Sequence, residues 1–182
     1  MALKISPVKK ILSVPQRRGV LAALLIALLP PSVIAQPAQL TQAAPWQIGQ
    51  SVRPPPLELL DGTAVDWTSL QGKVVVLEFW ASWCPFCARQ NPLLDKFYRQ
   101  HRTQGLEVIT ISLDKTKEAA VAYMKKSGYA FKAGMVTPQW DAIYQQRKGL
   151  PQLFAIDRKG RLATIEVREM MEEDIRDLAK LL

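Results

Sequence analysis

The chain has 182 residues, with 24 Lys or Arg against 16 Asp or Glu, two cysteines and one histidine. Residues 1–35 hold five of the basic residues and no acidic one, so the rest carries a net charge of only +3. A balance of that size gives no case for binding nucleic acid. The remaining 147 residues are enough for one domain with a single hydrophobic core.

The N-terminus has the layout of a secretory signal peptide. Basic residues precede a uniformly apolar or small run over 19–29, two prolines end the run, and Val33-Ile34-Ala35 offers a cleavage site. The run is shorter than the about 20 residues that a transmembrane helix needs. We therefore predict a signal peptide over residues 1–35 and export to an oxidising compartment, with an uncleaved anchor and a twin-arginine route as alternatives.

A Pro- and Gln-rich linker is predicted over residues 36–47, leading into a domain over residues 48–182. Residues 57–60 and 63–67 flank an Asp-Gly dipeptide, which is a strong turn signal between two extended segments. The domain is therefore expected to begin with an N-terminal β-hairpin.

The two cysteines form a Cys-x-x-Cys pair, Cys84 and Cys87, shortly after the apolar run Val74–Trp80. This run is typical of a parallel strand buried on both faces, and the residues after it show helical spacing to about Arg102. So small a loop removes little unfolded-state entropy, which favours a disulfide that opens and closes. At the start of a helix, the thiolate of the first cysteine is stabilised by unpaired backbone N–H groups and the helix dipole. The sulfur of the second cysteine can then attack a disulfide that the first has formed.

Metal binding is the alternative for a lone Cys-x-x-Cys. Tetrahedral zinc needs four ligands, whereas the chain supplies no third cysteine and only His101, so we expect no metal here. A Cu(I) carrier using two thiolates stays open, but such a carrier is expected to add Met or His beside the pair. Met171 is expected in the core at helical spacing rather than as a copper contact.

Glu78 lies inside the apolar strand. A carboxylate among apolar neighbours is costly unless it is protonated or paired, so we expect a raised pKa for Glu78. An acid of this kind below a dithiol could take or give the proton of the second cysteine. The competing interpretation is an exposed strand face with no role.

Further along the chain, strands alternate with helices, which predicts an α/β fold with a mixed central sheet and helices on both faces. Strands are predicted over 106–113, 152–157 and 162–167, a short extended piece at 135–136, and helices over 116–127, 139–146 and from residue 171 to the end.

The stretch from Val74 to Pro92 resembles the thioredoxin superfamily: a strand with a buried acid, Trp-Cys-x-x-Cys, and a helix with a proline five residues after the second cysteine. Within it, Phe79 to Cys87 looks like the periplasmic TlpA-like thiol–disulfide oxidoreductases, which include the cytochrome c maturation thioredoxins. Residues 149–160 resemble that family's Gly-x-Pro-Thr-x-Phe-x-Ile-Asp-x-x-Gly segment. The resemblance covers about Ile48 to Leu182 and implies a thioredoxin-like fold.

By this resemblance Pro151 is cis and lies against the dithiol, the backbone of Leu150 pairs with a client strand, and Trp83 packs beside the sulfurs and limits water. Gln152 replaces the usual Thr, so contact with a client can differ there. No histidine stands between the cysteines, unlike in strongly oxidising members, which favours a reductant. The predicted catalytic residues are Cys84, Cys87, Glu78 and Pro151, and the predicted substrate-binding residues are Trp83, Pro85, Phe86, Leu150 and Gln152.

These features predict a periplasmic thiol–disulfide oxidoreductase that reduces secreted proteins through a mixed disulfide on Cys84, which Cys87 resolves. No cofactor is expected beyond the redox-active pair. A reductant in that compartment needs a membrane electron donor, by resemblance of the DsbD or CcdA type. A disulfide-forming oxidase or isomerase and a Cu(I)-carrying module remain alternatives, and the client is open among apocytochrome c, a copper-site protein and a general pool of misoxidised proteins.

Overall fold

A computed structural model describes residues 45–182, so the predicted signal peptide and most of the predicted linker lie outside the described residues. Across residues 45–182, no helix is both long and apolar enough to cross a membrane. The strands are β1 (Val74–Trp80), β2 (Leu106–Ser112), β3 (Lys132–Met135), β4 (Gln152–Ile156) and β5 (Leu162–Glu166), and the helices are α1 (Pro85–His101), α2 (Lys117–Ser127), α3 (Pro138–Tyr144) and α4 (Glu172–Asp177).

The five strands form one mixed sheet in the order β3-β2-β1-β4-β5. Strands β1, β2 and β3 run parallel, while β4 is antiparallel to β1 and β5 is antiparallel to β4. The predicted mixed α/β sheet is therefore confirmed. Its central strand β1 ends at the same edge where β4 begins, because Phe79 pairs with Gln152.

Helices cover both faces of the sheet, as predicted. All seven residues of β1 are buried, and alternate side chains point to opposite faces. On one face Leu77 and Phe79 pack in a core with Trp140 of α3. On the other, Val74 and Val76 join a core with Leu94 and Phe97 of α1, Ile175 of α4 and Leu178 just after α4.

The domain begins earlier than predicted. Trp46, which we placed in the linker, is only 6% exposed and packs edge-on against Trp140 and Phe154, with ring centroids 6.4 and 5.5 Å away. Its backbone accepts a hydrogen bond from Arg147 and donates one to the Gln146 side chain. We predicted the linker from its Pro- and Gln-rich composition, which does not show that Trp46 packs in the core. A linker that ends at residue 47 is therefore too long.

The predicted N-terminal hairpin is present only as a narrow turn. Glu58 and Ala64 form a single antiparallel bridge, and Leu59 forms another with Gly134 in β3. The chain therefore joins the edge of β3 instead of building a two-stranded ribbon. The extended piece predicted at 135–136 belongs to β3, which begins earlier, at Lys132. The sequence did not indicate this start because Ala133 and Gly134 are small and form no apolar run.

The expectation that Met171 is in the core is wrong, since this residue is 60% exposed and Met170 is 3% exposed instead. Met171 is the N-cap of α4 and has extended backbone angles, φ −81° and ψ 173°. Helical spacing does not apply to a residue before the first helical turn, so the side chain of Met171 lies off the buried face.

Candidate active site

The cysteine pair lies at the N-terminus of the 17-residue helix α1. Cys84 is the N-cap, its Sγ accepts a hydrogen bond from the Cys87 N–H at 3.2 Å, and Pro85 occupies the first helical turn. The two sulfurs form a disulfide, with 5.3 Å between the Cα atoms. Both cysteines are buried, with Cys84 3% exposed and Cys87 fully buried, so Cys84 is the more accessible of the two. Its N-cap position lets the helix dipole stabilise a thiolate there.

A buried carboxylate holds the loop before Cys84 in place. Asp114, just beyond β2, accepts hydrogen bonds from the Ser82 N–H at 3.2 Å and the Ser82 hydroxyl at 2.8 Å. The Ser112 hydroxyl donates to the same carboxylate at 2.8 Å. The strand end and the loop are thus tied together, which restricts the position of Cys84. Sequence reasoning missed Asp114, although a carboxylate directly after a buried strand was a usable signal.

The residues around the pair present an exposed aromatic surface. Trp83 is 66% exposed and Phe86 is 50% exposed, with the Arg89 guanidinium 4.8 Å from the centre of the Phe86 ring. Pro85, between them in sequence, is also exposed. Trp83 therefore offers most of its surface to solvent, and its expected role in limiting the access of water to the sulfurs stays a prediction.

The loop before β4 meets the same edge of the sheet. The Leu150–Pro151 peptide bond is cis, as predicted, and Pro151 is buried. Leu150 packs against the cluster that contains Cys84 and Cys87. The structure therefore brings the two predicted motifs, far apart in sequence, to one place.

Gln152 does not face a client. Its side chain is fully buried, and its Nε2 donates to the backbone carbonyl of Arg147. The prediction that this side chain binds substrate is therefore wrong: residue 152 already belongs to β4, and its side chain points into the protein beside the loop that carries Pro151.

Glu78 is fully buried in β1, which excludes the interpretation that it lies on an exposed strand face. Burial raises the pKa of its carboxyl to about 8, as predicted in direction, against a smaller lowering by the hydrogen bond from Gln90. With its amide nitrogen turned inward, Asn91 donates to both Glu78 oxygens at 3.1 and 3.2 Å and to the Cys87 carbonyl at 3.1 Å. Asn91 therefore links the carboxyl to the backbone of the buried cysteine.

Gln90 and Asn91 were missed by sequence reasoning, although both are buried within α1. A signal was available, because Gln90 shares the face of the helix that carries Leu94 and Phe97, and a polar residue on an apolar face calls for a partner. Within residues 45–182, no cluster of three or more His, Cys, Asp or Glu side chains is arranged to hold a metal ion.

The parallel β1–β2 pair, the helix that starts at a cysteine pair and the cis-proline loop define a thioredoxin-like protein with a redox-active disulfide. Residues 42–182 match the Redoxin family, and the chain belongs to it. The thiol-disulfide oxidoreductase ResA of Bacillus subtilis is 28% identical over 126 residues, 69% of this chain and 70% of that protein. ResA of Geobacillus thermodenitrificans is 28% identical over 160 residues, 87% and 90% of the two chains.

A solved structure extends the comparison. The thiol:disulfide interchange protein of the thioredoxin family from Chlorobium tepidum is 25% identical, with a TM-score of 0.62 over 72% of this chain and 97% of that one. Together with the Cys84–Cys87 disulfide, these relatives make the chain a thiol–disulfide oxidoreductase of the ResA type.

Proposed function

We propose that the protein reduces disulfides of secreted client proteins in the periplasm. The observation that carries the proposal is the unequal placement of the cysteines at the start of α1. Cys84 is the N-cap and keeps a small exposed fraction of 3%, whereas Cys87 is fully buried inside the helix. The backbone carbonyl of Cys87 accepts a hydrogen bond from Asn91, which also donates to the Glu78 carboxyl. One sulfur can meet a client while the other is kept for the second step.

In the first step the Cys84 thiolate attacks a client disulfide, which forms a mixed disulfide and releases one client thiolate. The Cys87 thiolate then attacks the sulfur of Cys84 and releases the second client thiolate. The client gains two electrons and the pair returns to the disulfide form. The exposed Trp83 and Phe86 side chains offer apolar contact to the client, and the backbone of Leu150 offers a strand edge.

Glu78 serves the second step as a proton acceptor. Its pKa of about 8 is close to that of an ordinary thiol, about 8.5, so a proton passes from Cys87 to the carboxylate with little cost in free energy. An acid with an ordinary pKa would hold this proton too weakly. Burial of the carboxyl thus adapts Glu78 to the thiol it serves.

The reductive direction is supported by the residues between the cysteines. Pro85 and Phe86 supply no positive charge, so the Cys84 thiolate lacks the histidine that stabilises the reduced form of strong oxidants. Re-reduction then needs a membrane electron donor of the DsbD or CcdA type, and no cofactor beyond the cysteine pair. The N-terminal sequence supports export by a signal peptide.

The test is to trap the mixed disulfide. Cys87→Ala removes the resolving thiol, so the reduced variant should accumulate a covalent adduct with a secreted disulfide protein, detected by non-reducing gel and mass spectrometry. Cys84→Ala is the matched control and should form none. The exchange mechanism is wrong if Cys87→Ala yields no adduct, or if Cys84→Ala yields as much.

A further inference from the structure

Gln90 connects three parts of the fold from a fully buried position. Its Nε2 donates to Glu78 Oε1 at 2.7 Å, and its Oε1 accepts a hydrogen bond from the Met170 N–H at 2.6 Å. The side chain therefore bridges the central strand, the helix of the cysteines and the segment before α4.

The hydrogen bond from the Met170 N–H determines which atom of Gln90 faces Glu78. A carboxamide has one oxygen that accepts and one nitrogen that donates. Because the Met170 N–H can only donate, it fixes the oxygen of Gln90, and the nitrogen must face Glu78. Glu78 therefore meets a donor in either protonation state, which favours the carboxylate over the acid.

The neighbouring residue strengthens this arrangement. Arg89 makes two hydrogen bonds to Glu169, from Nε at 2.7 Å and from a terminal guanidinium nitrogen at 2.5 Å. Two successive residues of α1 are thus bound to two successive residues of one segment. The turn of helix that follows Cys87 is held against the segment at two points.

We propose that Gln90 is a positioning residue for the resolving step, holding Glu78 oriented toward the turn of α1 that carries Cys87. The inference rests on the proposed function, in which Glu78 accepts the Cys87 proton. The hydrogen bonds of the Gln90 side chain go to Glu78 and Met170, not to the sulfurs. It acts by setting the orientation and charge state of the carboxyl.

The groups that contact or neighbour Glu78 are uncharged. From α1 it is faced by the amides of Gln90 and Asn91, and its strand neighbours are Thr110 in β2 and Leu153 in β4. From α2 the Tyr123 phenol senses its charge, which adds to the raising of the tyrosine pKa by burial. Among the described residues no basic side chain forms an ion pair with Glu78, so hydrogen-bond donors alone offset its burial.

The test separates the two steps of exchange in the reduced full-length protein. Rapid mixing with dithiobis(nitrobenzoate) releases one coloured thiolate when Cys84 attacks and a second when Cys87 resolves the adduct. The rate of the second release is measured against pH. Gln90→Met keeps the length of the side chain but removes both hydrogen bonds, and Gln100→Met, at an exposed site on the same helix, is the control.

We expect the inflection of the second release to move up by about one pH unit in Gln90→Met, with about a tenfold slower rate near pH 7. The first release and the Gln100→Met profile should match wild type, and Glu78→Gln should lose the inflection of the carboxyl and keep only that of the Cys87 thiol. Gln90→Glu can still accept from Met170 but adds a second carboxyl, so it should divide the inflection into two.

The inference is wrong if Gln90→Met lowers thermal stability yet keeps the wild-type inflection, because Gln90 is then only structural. If Gln90→Met does not fold, Gln90→Glu decides, and a wild-type profile in that variant overturns the inference. A wild-type profile in Glu78→Gln also overturns it. A wild-type protein without any second release overturns the proposed function as well.

Discussion

Glu78→Gln is expected to change how stability depends on pH. The carboxyl has a pKa of about 8 in the folded, disulfide-bonded protein and 4.5 as its ordinary value. Between these values the folded state binds more protons than the unfolded state, so the free energy of unfolding falls as pH rises. Each pH unit inside that window costs up to about 1.4 kcal/mol.

The structure sets the size of the effect. Between pH 4.5 and 7 the loss attributable to Glu78 is about 3 kcal/mol, and it approaches about 5 kcal/mol above pH 8. Glutamine has the same shape and no charge, and its oxygen can accept from Gln90. The variant should therefore keep the stability that the wild-type protein loses in this window.

The assay is urea unfolding of the oxidised proteins at a series of pH values from 4 to 8.5. Other groups titrate alike in both proteins, so the difference between the two curves isolates Glu78. Glu118→Gln, at an exposed position of α2, is the control and should run parallel to wild type. If the Glu78→Gln curve also runs parallel to wild type throughout, the carboxyl is not held protonated by burial and the argument fails.

Two further predictions concern the fold. Trp46→Ala should lose about 3–5 kcal/mol of unfolding free energy, because it removes a buried aromatic anchor. Ile48→Ala, at a side chain that is 64% exposed, should stay within about 0.5 kcal/mol of wild type. Equal effects of the two substitutions in chemical denaturation would mean that Trp46 belongs to the linker. Gly134→Ala should lose about 1–3 kcal/mol and lower the melting temperature, because its Cβ would lie 2.6 Å from the Glu58 carbonyl oxygen and 2.7 Å from the Leu57 side chain. An unchanged melting temperature would mean that the 57–59 segment does not cover β3.

Local patterns carried most of the correct predictions. The apolar run of β1, the cysteine pair at a helix start and the buried acid are each written within about ten residues of sequence, and each interaction they imply is short in range. The bounds of β1 agree residue by residue, and Thr116 and Gly128 cap α2 where its predicted ends lie. Such features depend on propensity and burial, which sequence expresses directly.

The missed features depend on contacts between distant segments. Trp46 is an anchor only because α3 and β4 supply Trp140 and Phe154. The side chain of Gln152 points toward Arg147 because of the loop that precedes β4. Met170, which donates a hydrogen bond to Gln90, lies 80 positions away in sequence. No periodicity reports such pairings, although a buried polar residue on an apolar helix face signals that one exists.

The reduction potential of the Cys84–Cys87 pair tests the central claim most directly. The full-length protein is equilibrated in thiol–disulfide buffers of graded potential, and free thiol is quantified at each, with Cys84→Ala as a blank. A protein that reduces its clients should show a value near or below about −220 mV, toward the thioredoxin end of the scale. A value near about −120 mV, that of a strong oxidant, would mean that the protein makes disulfides and would contradict the proposed direction of electron flow.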